Sequence, residues 1–313
     1  MQRSGRRYPW CSAPSSHTEM YRIAKDLNST ETHFILECIQ NADDNQYIDV
    51  EPFLRISVYR DRIRIDCNEK GFEPQDVKSL CSVGESKKVI RENGQRRYIG
   101  EKGIGFKSVF KVAERVQICS PPYFFEFDAR GELGMITPIW VPPEKLLLVP
   151  SRDSQTTILL LPPSGKSYER LIEDSEAISP TLLLFLSKLR RMDLRICTEN
   201  FRAPNSTTRE ISTTYLRDEQ EEFATLKVQD THKPVRDRRY RLFNQTWEVS
   251  LLEVEERRKG IKETEVRLAF PVNALGEPIQ STQPVHAFLP VRDFGFKVCY
   301  PIRNGLNGSI SSS

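Results

Sequence analysis

Two stretches limit the fold more than any other part of the chain: Thr30–Asn45, TETHFILECIQNADDN, and Tyr98–Glu114, YIGEKGIGFKSVFKVAE. A helix with about 3.6 residues per turn places Glu37, Asn41 and Asp44 at i, i+4 and i+7, so their side chains form one stripe. Ile35, Cys38, Ile39 and Ala42 fall on the opposite face. Such a helix packs inward through its apolar side and shows a carboxylate, an amide and a second carboxylate to a cavity. Taken alone, the pattern would equally suit a surface helix. In the second stretch, Gly100, Gly103 and Gly105 let the backbone come close to a ligand, and Phe106, Val109, Phe110 and Ala113 then open an apolar helical repeat.

In that order the two stretches point to ATP and magnesium. An asparagine oxygen is a hard, neutral ligand for a magnesium ion that keeps its waters and phosphate oxygens, which assigns Asn41 to the metal. Glu37, one turn away, is placed to orient and deprotonate an attacking water, and Asp44 to hold water or the nucleoside end. Phosphate is expected on free amides at the start of the helix after the glycines, with Lys102 and Lys107 adding charge.

The Glu-x-x-x-Asn-Ala-x-Asp helix followed by Gly-x-x-Gly-x-Gly resembles the GHKL, or Bergerat-fold, ATPases, which include gyrase B, the ninety-kilodalton heat-shock chaperone, MutL and histidine kinases. IQNADDNQY, CNEKGF, CSVGESKK and YIGEKGIGFKSVFKV are most similar to its sacsin-like and NO VEIN-like branch. The resemblance is strong over residues 21–162 and continues more weakly to 298. It implies an α/β (α+β) two-layer Bergerat-type sandwich, a mixed sheet with helices on one face, followed by a partial β-rich middle domain. ATP and Mg2+ would lie between helices and lid. Gly100, Glu101, Lys102, Gly103, Ile104, Gly105, Phe106, Lys107 and Ser108 would cradle the phosphates. The lid would fall at Ser82–Gln95, where Ser86, Lys87 and Lys88 are placed to reach them. Thr156 matches the strand threonine that contacts adenine through water.

One departure concerns the base. Most of the family has Asp-x-Gly-x-Gly, whose Asp accepts from the adenine amino group. Aligned on Gly71, that position is Cys67, a poor acceptor, which leaves Asp66 and Asn68 as substitutes.

Composition narrows the alternatives. With 46 basic and 43 acidic residues the net charge is +3, too balanced for a field that draws in nucleic acid. A MutL-like or gyrase-like DNA role is therefore the weaker alternative, and nucleic acid is not expected as a partner. Seven scattered cysteines without a C-x-x-C pair fit reduced thiols, and four dispersed histidines make no zinc pattern. The expected location is cytoplasmic or nuclear, without a membrane span.

In chain order, residues 1–19 read as a disordered leader and 20–163 as the ATP-binding domain. Within that domain Leu54, Ile56 and Val58 turn at Asp61 into Ile63, Ile65 and Cys67, a hairpin with one buried face. Residues 164–204 read as a helix and strand connector, with a helix at Ile178–Arg191, and 205–239 as a polar loop with some strand. Residues 240–298 form the partial middle domain and 299–313 a disordered tail. Ser164-Gly165-Lys166-Ser167 lacks the earlier glycine of a phosphate loop and is rejected as one. Relatives of this kind run on for many residues, so the middle domain is expected to be incomplete, with Arg292 or Lys297 as stand-ins for its phosphate-contacting cation. The activity implied is slow magnesium-dependent ATP hydrolysis that moves lid and domain in a chaperone-like role on client proteins, with homodimerisation through the lid or C-terminal regions. The alternative is a catalytically silent nucleotide-binding scaffold.

Overall fold

A computed structural model describes residues 33–81, 104–147, 151–165, 168–175, 178–197, 200, 209–218, 222–248, 263–279, 285–287 and 289–292. The leader, the lid with Ser86, Lys87 and Lys88, and Gly100, Glu101, Lys102, Gly103 and Lys297 lie outside the described residues.

The first element is α1 (His33–Asp44). Its Phe34, Ile35, Cys38, Ile39 and Ala42 are buried, as the spacing requires. The hairpin follows as β1 (Phe53–Val58) and β2 (Ile63–Cys67), paired from Leu54–Cys67 to Val58–Ile63. A short α2 (Pro74–Cys81) comes next, and after the undescribed stretch α3 (Ile104–Lys107), which passes directly into a 3-10 turn at Ser108–Lys111. The longer helix that the Phe106, Val109, Phe110 and Ala113 spacing predicts is thus one α-turn and one tighter turn.

The strands are β3 (Arg115–Ser120), β4 (Tyr123–Asp128), β5 (Ile139–Trp140), β6 (Thr156–Leu161), β7 (Arg191–Ile196), β8 (Arg209–Arg217), β9 (Phe223–Asp230), β10 (Lys233–Glu248) and β11 (Glu263–Val272). All eleven belong to one sheet in the order β11-β10-β9-β8-β7-β1-β2-β6-β3-β4-β5. Every pairing is antiparallel except β1 with β7, which run parallel from Phe53–Arg191 to Val58–Ile196. A separate hairpin joins β12 (Val285–Ala287) and β13 (Leu289–Arg292), the strand that contains Arg292.

This architecture corrects the expected two-layer Bergerat-type sandwich. The described chain is mainly one large mixed sheet with few, short helices, and β8 to β11 extend that sheet instead of starting a separate middle domain. Two local misreadings account for much of the difference. The helix predicted over Ile178–Arg191 is a 3-10 turn at Pro180–Leu184, capped by the Ser179 side chain, and the chain is already in β7 at Arg191. Leu182, Leu183, Leu184, Leu186 and Leu189 are all buried, so these leucines carry no one-sided helical period to follow. The polar stretch read as a loop at 205–239 contains β8, β9 and the first half of β10. There polar side chains occupy strands by pairing with one another, as in the Arg209–Asp230 ion pair at 2.7 Å.

The core is continuous. Side chains of α1, β1 to β4, the 180–189 leucines and Tyr215, Leu226, Tyr240 and Leu242 form one buried cluster. The β1–β2 hairpin differs from expectation in having both faces covered, since Arg55, Ser57 and Asp66 are buried as well as the aliphatic row. Their charges are matched: Arg55 pairs with Asp153 at 2.8 Å and Arg64 with Asp66 at 2.6 Å. Among the described residues no helix is long and apolar enough to cross a membrane.

Candidate functional site

Glu37, on the polar stripe of α1, lies against Gly105 of α3. A methyl group built on Gly105 would run into Glu37 Oε2 and lie 3.1 Å from Glu37 Cδ. Gly105 has no positive φ, so glycine is needed there for the close approach of the carboxylate and not for its backbone conformation. Glu37, Asn41 and Asp44 are all partly exposed. No side-chain hydrogen bond holds Asn41 among the described residues. No group of three or more His, Cys, Asp or Glu side chains suited to a metal occurs among the described residues. Neighbouring Cys38 is inert, because burial, reinforced by the charge on Glu37, pushes its thiol up to about 12.

Only part of the predicted cradle points to that space. Phe106 is buried in the core and Ser108 donates to the Gly105 carbonyl at 2.6 Å. Ile104 starts α3, but its side chain is not described. Lys107 departs from expectation. It is buried, its ammonium donates to the carbonyls of Leu80 and Met135, and it stands 4.6 Å from the Phe127 ring centroid. A cation so enclosed anchors α3 to the end of α2 and does not offer its charge to phosphate.

At the other end of α1 the segment after β2 returns to the helix. The Lys70 amide donates to the Gln46 carbonyl at 2.8 Å, and the Tyr47 hydroxyl donates to the Ala42 carbonyl at 2.7 Å and touches Cys67 Sγ at 3.3 Å. Burial, with Cys67, Glu69 and Asp43 adding to it, pushes the Tyr47 phenol well above its ordinary value. Gly71 has φ +93°, a left-handed conformation that lets the chain turn back beneath Gln155.

Both proposed substitutes for the missing aspartate are occupied elsewhere. Asp66 is bound by Arg64 and accepts from the Thr157 hydroxyl at 2.6 Å, on the sheet face away from Thr156. Asn68 accepts from the Phe53 amide at 2.9 Å and donates to the Glu51 carbonyl at 2.8 Å, tying β1 to the end of β2. The acid beside Thr156 is Glu69, which the alignment on Gly71 passes over. It is buried, accepts from the Thr156 hydroxyl and accepts from the Gly71 amide at 3.0 Å. The available signal was chemical: Glu69 is the one carboxylate between Cys67 and Gly71, and a longer side chain reaches from a later position.

The C-terminus of α1 is fixed by its neighbours. The Asp43 carboxylate accepts from the backbone amides of Ser187, Lys188 and Leu189 at 2.8, 2.7 and 2.9 Å. Lys188 Nζ donates to the carbonyls of Asp44, at 3.0 Å, and Asn45. Glu37 thus lies against Gly105 in the first half of α1, and the C-terminal end of the helix is tied to Cys67 through Tyr47. From Glu37 to Ala42 the helix rises about 7.5 Å.

No protein-family model matches the chain. It is homologous to a large plant protein, and over most of its length it is NO VEIN-like. Protein NO VEIN of Arabidopsis thaliana is 32% identical over 298 residues, which covers 88% of this chain and 10% of that protein. The chain therefore spans about a tenth of the length of this relative.

Proposed function

We propose that the chain binds ATP with magnesium along the polar side of α1 and hydrolyses it slowly, in the manner of a GHKL ATPase site. The observation that carries this reading is Glu37, a partly exposed carboxylate lying on a glycine that leaves room for nothing larger. Asn41 would hold the metal, and the backbone around Gly105 would approach the terminal phosphates. Glu69 and Thr156 would receive the base in place of the missing aspartate. The motifs at Glu37–Asp44 and Gly100–Gly105 support this function. Magnesium, when bound, would neutralise charge on the phosphates. Glu37 would take the proton of the attacking water. Coupling of turnover to lid motion, to client proteins or to homodimerisation belongs to the same proposal.

A second reading, a nucleotide-binding scaffold without turnover, is favoured by the withdrawal of Lys107 into the core. Gly105→Ala separates the two. The obstructing atom is the end of a flexible side chain, so the added methyl displaces the Glu37 carboxylate at little cost to the fold. A shift of about 1 Å in a catalytic group can cost on the order of a hundredfold in rate. Expected in single-turnover assays with MgATP is that loss, with the circular dichroism spectrum and ATP affinity retained. Wild-type rates at background, with ATP still bound, would establish the scaffold. A variant as fast as an active wild type would overturn the placement of Glu37.

A further inference from the structure

We propose that one face of β8 to β11, the face opposite the core, is a docking surface for an acidic peptide segment that carries aromatic or aliphatic side chains. The inference does not depend on the nucleotide reading above.

Alternation along the strands sorts their side chains between two faces. Tyr215, Ala224, Leu226, Tyr240 and Leu242 belong to the buried cluster. The pairings Leu216–Thr225, Phe223–Arg241, Arg241–Phe270, Phe243–Leu268 and Gln245–Val266 put the alternate residues together on the other face. Leu216 is 50% exposed there, Phe243 36%, Val266 39% and Leu268 48%, and Phe223 and Phe270 are half-buried. Single apolar residues on a surface need no explanation, but these six share one face of four adjoining strands.

Two guanidiniums lie over the rings. Arg239 stands 4.2 Å from the Phe223 centroid and Arg241 5.3 Å from that of Phe243, which meets Phe270 edge-on at 5.4 Å. A guanidinium stacked on a ring keeps its N–H edge for a carboxylate. Three cations stand beside these residues, Lys227, Arg239 and Arg241, against two acids, Asp237 opposite Lys227 and Glu222 at 3.8 Å from Arg241. Among the described residues no ion pair holds Arg239.

This balance selects the occupant. A second copy docked face to face across a two-fold would set the arginines against the same cations. Nucleic acid draws its affinity from many phosphate contacts, for which these cations are too few, and Leu216, Val266 and Leu268 give a base no ring to stack on. Carboxylates set between apolar side chains meet both parts of the face.

The test is fluorescence anisotropy on the full chain with three labelled probes: the peptide EDFELDFE, the same peptide with lysine at every acidic position, and an oligothymidylate. Expected is binding of the acidic peptide in preference to the other two. Arg239→Glu should weaken that peptide at least about tenfold and strengthen the lysine peptide, with the circular dichroism spectrum kept. Should Arg239→Glu not fold, Arg241→Glu carries the same expectation. A wild type that binds the acidic peptide no better than the lysine peptide, or an affinity unmoved by the charge reversal, would overturn the proposal. Preference for the oligothymidylate would overturn it in favour of nucleic acid. A dimer in sedimentation that Leu268→Glu dissolves, without binding of the acidic peptide, would overturn it in favour of a second copy.

Discussion

Glu37→Gln is expected to lower single-turnover MgATP hydrolysis by at least about a hundredfold, the scale on which a positioned general base contributes. The substitution keeps size and hydrogen-bonding capacity and removes the ability to take a proton. ATP affinity should stay within a few-fold of wild type, because Glu37 acts on water and not on the nucleotide. Burial of Cys38 and its raised pKa leave that thiol unable to substitute as base. A Glu37→Gln rate equal to that of an active wild type would remove Glu37 from the chemistry.

Asp43→Ala is expected to destabilise the fold by about 3 kcal/mol, read from urea unfolding. The Asp43 carboxylate accepts three backbone amides, from Ser187, Lys188 and Leu189. Hydrogen bonds to a charged group contribute roughly 1.5 to 3 kcal/mol each, and amides stripped of a partner in a buried setting add a desolvation cost, partly offset by relaxation. Asn in place of Asp retains one acceptor oxygen and should lose about half as much. The effect reaches beyond the helix, because the turn that Asp43 holds is followed directly by β7, which forms with β1 the one parallel pair of the described sheet. The carbonyls of Leu184 and Leu186, just before it, accept from Arg267 of β11 at 3.2 and 3.3 Å. A loss under about 0.5 kcal/mol would show that these bonds are replaced by water at no cost.

The burial of α1 was legible in the sequence because one helix carries its own period. The apolar spacing of Ile35, Cys38, Ile39 and Ala42 fixed which side of α1 is buried, and with it which side Glu37 and Asn41 occupy. The strands of the β1–β2 hairpin were legible from their alternation, but the burial of the second face was not. Other features depended on partners far along the chain. Nothing local shows that Arg55 is buried, because its partners Asp153 and Asp193 are about a hundred residues and more away. Lys107 carries a phosphate-binding pattern, but the carbonyls that hold it come from α2 and from Met135. Strands β8, β9 and the first half of β10 read mainly as loop because Arg209, Lys227, Arg236 and Asp237 hide a period of two that only Tyr215, Ala224, Leu226, Tyr240 and Leu242 express through burial. Glu69 escaped notice because alignment compares positions, whereas a carboxylate is placed by the reach of its side chain.

The most direct test of a triphosphate held jointly by α1 and the glycine segment is calorimetric titration of ATP, with and without magnesium, into wild type and Asn41→Ala. Expected is a wild-type affinity that magnesium strengthens at least about tenfold, and a variant in which magnesium adds little, since one ligand of the hard cation is gone. Equal affinities in all four titrations would contradict the assignment of Asn41 and, with it, the convergence of the two segments on one nucleotide.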